Sequence, residues 1–277
     1  MQLTQRQAFF LPAEQGQRFC IFSPSQLPEA RGAILYLHPF AEELNLSRRT
    51  VALQIRALAA AGFDVLQIDL LGCGDSSGEF EDASWTKWLA DAHLALAWLQ
   101  TNSAAPLWLW GLRSGALLAA DLARHSHLDV SQLYWQPILA GESVLRDFQR
   151  LAVAGDLLSG RGKERLAEFK ARLAAGVPID VAGYTLSSAM AKGLAESRLI
   201  DDQSGCSKRL GWIEIVSSPQ TEPSALVSRY LAGLKERGGE SRYAAVTGQA
   251  FWQSHAIDIP PGLIEQTLRV VTELSCA

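Results

Sequence analysis

The stretch "PLWLWGLRSGALLAA", residues 106–120, decides how the rest of the chain is read. An apolar, tryptophan-bearing run ends at Gly111, and Gly115 opens a run of Ala and Leu. A short apolar run bounded by glycine reads as a buried strand, and the good helix formers after it read as a helix. The two glycines bracket a sharp turn, with Arg113 midway between them and Ser114 one step later. The stretch therefore predicts a strand-to-helix turn whose apex carries a guanidinium.

Working outward, the same alternation recurs on both sides. "GAILYLHPF" is a buried strand by length and flanks, ending at His38 and Pro39, and "SRRTVALQIRALAAAGF" has helical spacing that stops at Gly62. "DVLQIDLLGCGDSSGEF" is a strand running into a glycine-rich loop, and "SWTKWLADAHLALAWLQTN" is an amphipathic helix. Upstream, "FFLPAEQGQRFCIFSP" reads as a hairpin turning at Gly16. Strands alternating with helices of this length imply a parallel sheet covered on both faces. The rhythm breaks between about Val144 and Lys208, a Leu/Ala-rich stretch of helical character with no convincing buried strand. It resumes with "LGWIEIVSS", "EPSALVSRYLAGLKERGG", "RYAAVTG" and "PPGLIEQTLRVVTEL". The expected organisation is an α/β core of residues 1–143 and 209–277, with residues 144–208 inserted as a helical cap.

Composition narrows the function classes. A net charge of −4 and no Lys/Arg cluster give no electrostatic case for nucleic acid or a polybasic membrane patch. The four cysteines are widely spread without a C-x-x-C pair, which argues against a metal site and fits reduced thiols in a cytoplasmic protein. No window nears eighteen uninterrupted apolar residues, so no membrane span is expected. No cofactor motif is recognised either.

The order of elements resembles the α/β-hydrolase fold, and four local patterns agree. "LHPF" stands where that superfamily has its oxyanion loop, and Gly72, Gly74 and Gly78 match its spaced-glycine loop. "GLRSG" stands at its G-x-S-x-G nucleophile elbow, and a cap follows the next strand. More narrowly, "LHPFAEELN", the glycine loop, "WLWGLRSGALLAA" and "GQAFWQS" resemble the exosortase A system-associated hydrolase 2 group. That resemblance implies a hydrolase label and a bacterial exopolysaccharide-export setting, in which a protein of the export system would be a partner.

The triad positions implied by the fold are all substituted. Arg113 stands where the serine belongs, and a guanidinium stays protonated with no usable lone pair. Ser114 is displaced by about 100° around a helix, where its hydroxyl is expected to cap backbone amides. The acid position falls near Gln220, with Glu222 two residues later, and the histidine position falls near Phe251, with His255 four residues on.

What remains is a binding site. The amides of Phe40 and Ser114 would form the oxyanion hole, beside the positive end of the helix opening there. Arg113 added to these donors suits an anionic or acyl ligand, unless Glu42 or Glu43 neutralises it internally. His38 is a general base or a brace for its loop, and Trp252 lines the pocket mouth. Three functions stay open: a degenerate hydrolase binding such a ligand, an esterase or acyltransferase using Ser114, Glu222 and His255, and a protein-interaction scaffold.

Overall fold

A hairpin of β1 (Gln7–Pro12) and β2 (Gln17–Ser23) turns at Gly16, whose φ of +70° suits glycine. Then come β3 (Gly32–Leu37), α1 (Glu42–Ala60), β4 (Phe63–Ile68), α2 (Trp85–Asn102), β5 (Leu107–Leu112), α3 (Gly115–Ser126) and β6 (Ser131–Trp135). Between β6 and the next core strand lie α4 (Gly141–Leu157), α5 (Gly162–Ala174), β7 (Ile179–Val181), β8 (Tyr184–Leu186) and α6 (Ser188–Glu196). The chain then runs through β9 (Arg209–Val216), α7 (Ala225–Glu236), β10 (Glu240–Thr247) and α8 (Leu263–Ser275). This computed structural model describes residues 5–126, 128–157, 162–200, 208–218, 222–254 and 259–276.

Eight strands form one sheet in the order β1-β2-β4-β3-β5-β6-β9-β10. Only the β1–β2 and β2–β4 pairings are antiparallel; β4, β3, β5, β6, β9 and β10 run parallel. Strands β3 and β6 are buried along their whole length, as a doubly covered parallel sheet requires. Side chains alternate between the faces. Ala33, Leu35 and Leu37 of β3 join a core shared with α2 and α3, whereas Ile34 and Tyr36 join one shared with α1 and α8. Trp88, Trp108, Trp110, Trp135 and Trp212 are among the largest fully buried side chains. Each removes roughly 150–250 Å² from water, an upper-bound gain of about 4–6 kcal/mol.

The inserted region adds no described strand to the main sheet. It does contain β7 and β8, a separate antiparallel pair turning at Ala182 and Gly183, both at positive φ. The sequence shows no convincing buried strand here, because two three-residue strands are too short to show a period. The cap is seated firmly. A Cβ on Gly193 of α6 would lie 2.4 Å from the Trp85 Cβ on α2, and the Ser187 hydroxyl donates to the Ala83 carbonyl at 2.7 Å.

Candidate ligand-binding site at the elbow

The elbow has the close-packed geometry that its glycines imply. A Cβ on Gly111 would sit 2.4 Å from the Ala116 backbone, and one on Gly115 would sit 2.2 Å from the Leu37 carbonyl oxygen. Both positions therefore exclude any larger residue, and α3 starts in contact with the end of β3. Between them Arg113 takes a φ of +56°, a region where an L-residue is strained. Its N–H donates to the Trp135 carbonyl at 2.9 Å, and its carbonyl accepts from Ala116 at 3.1 Å and Ile138 at 3.3 Å.

The Arg113 side chain projects from this apex and meets two groups. Its Nε donates to Glu43 Oε1 at 3.3 Å, and its guanidinium carbon lies 5.2 Å from the centroid of the Trp252 ring. A cation at that distance over an indole is held by the ring quadrupole. Burial pushes the Glu43 carboxyl pKa above its ordinary value despite the opposing pull of Arg113. The guanidinium that the sequence offered to an external anion is thus paired internally. Glu42 points elsewhere: it accepts from the Tyr184 hydroxyl at 2.8 Å and from the Asn45 amide at 3.2 Å.

Ser114 is 2% exposed, and its hydroxyl has no hydrogen-bond partner among the described residues. The expected capping bond is absent, because the α3 backbone begins packed against Leu37 and His38 rather than open to a side-chain cap. The N–H groups of Phe40 and Ser114 likewise donate to no acceptor among the described residues. Ala41, at φ 50° and ψ −128°, turns the chain into α1 directly after Phe40. His38 is buried: Nδ1 lies 2.8 Å from the Pro39 carbonyl, and the Leu70 N–H approaches Nε2 at 3.4 Å. A neutral imidazole protonated on Nδ1 satisfies both contacts, and burial lowers the pKa accordingly. Both ring nitrogens therefore brace the loops after β3 and β4.

The structure describes Glu222, one of the two partners expected for Ser114. Glu222 is exposed, just before the Ser224 side chain that caps α7. Gln220 and His255 lie outside the described residues. Phe251 is buried in the α1/α8 core, with its ring 6.1 Å from Trp135 and 5.1 Å from Trp252.

Above the elbow lies a cavity of about 90 Å³ lined by Phe40, Ala41, Glu42, Glu43, Arg113 and, from the far side, Ile138, Val144, Asp147, Phe148, Leu151, Ala182 and Tyr184. The second group was missed in the sequence. Its one visible signal is the spacing of Val144, Phe148 and Leu151, which places them on one face of α4. Phe148 meets the Phe40 ring edge-on at 5.4 Å, so cap and core share the wall. Among the described residues no cluster of His, Cys, Asp and Glu could hold a metal ion.

Comparison with known proteins agrees with this geometry at the level of fold. A family model described as serine aminopeptidase S33 matches residues 28–152, less than half of the chain. A carboxyl esterase from Bacillus coagulans, solved with glycerol, is similar with a TM-score of 0.68 at 14% identity, covering 99% of this chain and 100% of that one. Est1E from Butyrivibrio proteoclasticus, solved with ferulic acid, gives 0.65 at 15% identity over 98% and 100%. A soluble variant of monoglyceride lipase from Saccharomyces cerevisiae gives 0.64 at 15% identity over 99% and 96%. Human protein ABHD12B is 31% identical over 106 residues, which is 38% of this chain and only 28% of the relative's length. The chain has the α/β-hydrolase fold, with a mostly parallel central sheet and helices on both faces. No helix among the described residues is long and apolar enough to cross a membrane.

Proposed function

We propose that this protein is a non-hydrolytic member of its fold class that holds a small ligand, through an acyl or alkyl portion, beneath its cap. One observation carries the reading: the apex of the elbow presents Arg113, stacked on Trp252 and paired with Glu43, where the chemistry of the fold calls for a nucleophile and its base. Neither a guanidinium nor an indole takes up a proton at neutral pH. The Phe40 amide, which has no acceptor among the described residues, and the apolar wall of Phe148, Val144 and Ile138 remain as binding surface.

The rival esterase reading asks Ser114 to act, but that side chain is 2% exposed and is not among the residues lining the cavity. Labelling with a fluorophosphonate, alongside turnover of p-nitrophenyl acyl esters, tests the point. No labelling and no turnover above the uncatalysed rate is expected. Covalent labelling of Ser114 would overturn the reading.

The motif resemblance to exosortase A system-associated hydrolase 2 proteins supports a bacterial exopolysaccharide-export setting for this binding role, with action in the cytoplasm. A protein of that system would be the receiving partner. Affinity capture from cells with and without the export machinery tests this setting. Recovery of the same proteins from both would count against it.

A further inference from the structure

The cap cavity is more acidic than the arginine at its floor suggests. Glu42, Glu43 and Asp147 line it against Arg113 alone. The positive charge of Arg113 is already engaged by Glu43 at 3.3 Å and by the Trp252 ring. Glu42 is held by neutral donors, the Tyr184 hydroxyl and the Asn45 amide, so its charge is oriented but not cancelled. Asp147 meets Arg150 at 3.1 Å, but those side chains are 56% and 75% exposed, where solvent screens the pair.

The same cavity is walled by aromatic rings. Phe40, Phe148 and Tyr184 all line it, and Phe80 bridges the group, 5.3 Å from Phe40 and 5.1 Å from Tyr184. Ring faces combined with carboxylates attract an organic ammonium group, which aromatic cages bind in preference to its neutral isosteres. An anion would have to displace Glu43 from Arg113 and then lie beside two further carboxylates. The volume, about 90 Å³, is several times the roughly 10–15 Å³ that one water requires.

Resting on the reading of this cavity as a ligand site, we infer that it recognises a small alkylammonium head group, quaternary or primary. The apolar remainder lies along Val144, Phe148 and Leu151 of α4. Leu151, 57% exposed, marks the way out, so a longer alkyl chain extends toward solvent there.

The test uses three ligands of one shape and different charge: choline, its neutral tert-butyl analogue neohexanol, and the anion tert-butylacetate. Calorimetric titration of the full chain is expected to rank choline first, tighter than neohexanol by about tenfold, with the anion weakest. Asp147→Asn, at a side chain 56% exposed, should narrow the gap between choline and neohexanol. Adding Glu42→Gln should close it. If neohexanol or the anion binds at least as tightly as choline, and Val144→Trp blocks that binding, the ammonium preference is wrong although the cavity is a ligand site. Failure of all three to bind, or binding that Val144→Trp leaves untouched, overturns both readings.

Discussion

The Arg113 guanidinium lies over the Trp252 indole at 5.2 Å, joining the apex of the elbow to the loop after β10. A guanidinium and an indole offer neither a nucleophile nor a base at neutral pH. Restoring a serine at position 113 alone is therefore expected to leave the protein inert. Arg113→Ser should hydrolyse p-nitrophenyl acetate no faster than buffer. A fluorophosphonate-sensitive rate in that variant would show that a base is within reach after all.

Removing the charge of Arg113 while keeping its length tests the ion pair. Arg113→Met strands the Glu43 carboxylate in a half-buried position. Breaking a fully buried pair costs roughly 3–5 kcal/mol. With side chains 15% and 23% exposed, solvent screening reduces the expected loss to about 1–3 kcal/mol. Urea unfolding of the two proteins measures it. Equal midpoints and slopes would show that the pair contributes nothing.

Glu43 also predicts the direction of a pH effect. Burial raises its folded-state pKa above the unfolded value, so between the two values the native protein binds more protons than the unfolded chain. Stability from this group is therefore full below the ordinary glutamate pKa of about 4.3 and declines as pH rises through the raised value. Glu43→Gln should flatten that decline in unfolding measurements between about pH 4 and neutrality. A slope unchanged by the substitution would assign it to other groups.

Ser114→Ala removes a buried hydroxyl with no hydrogen-bond partner among the described residues. Losing an unsatisfied polar group relieves desolvation, so the variant should match or slightly exceed the wild type, by up to about 1 kcal/mol. The capping role read from the sequence demanded a loss of similar size. The sign of the change in melting temperature decides between them.

Gly115→Ala should be far more damaging than Gly183→Ala. At Gly115 the added methyl meets the Leu37 and His38 carbonyl oxygens at 2.2 and 2.7 Å, both of them backbone. A cost of at least about 3 kcal/mol follows, at the upper end for overpacking. At Gly183 nothing lies within 4 Å and only the φ of +88° opposes a side chain, worth about 1–2 kcal/mol. Comparable losses at both sites would mean that the elbow is looser than its contacts indicate.

Glycines made the fold legible in the sequence. Gly16, Gly62, Gly111 and Gly115 each stand where the chain turns or two backbones touch, so they mark element ends independently of tertiary context. The apolar runs between them then have one economical arrangement, a covered parallel sheet. The site was legible only in outline. Arg113 and Phe40, which line the cavity, could be named from their places in the motif order. Trp252, expected at the pocket mouth, is instead buried in the α1/α8 core and does not line the cavity. Two near-equivalent candidates, Glu42 and Glu43, open one helix. Their division of labour depends on the twist of α1 and on Tyr184, which comes from a distant hairpin of three-residue strands. The pairing of Ser114 was misjudged because capping propensity is local, whereas the packing of Gly115 against β3 is not.

The positive φ at position 113 has a consequence for how such a protein changes over time. The apex is held in place by the Trp135 carbonyl and by the Ala116 and Ile138 N–H groups, all contacts of its main chain. Any side chain there inherits the same strained pose, at about 1–2 kcal/mol for every residue except glycine. The fold thus behaves as a socket whose rim is set by the main chain, whichever side chain is plugged in. One codon can change the chemistry at the apex while circular dichroism stays almost as it was, even where loss of the Glu43 pair lowers the melting temperature. Shape and chemistry are inherited separately at this turn.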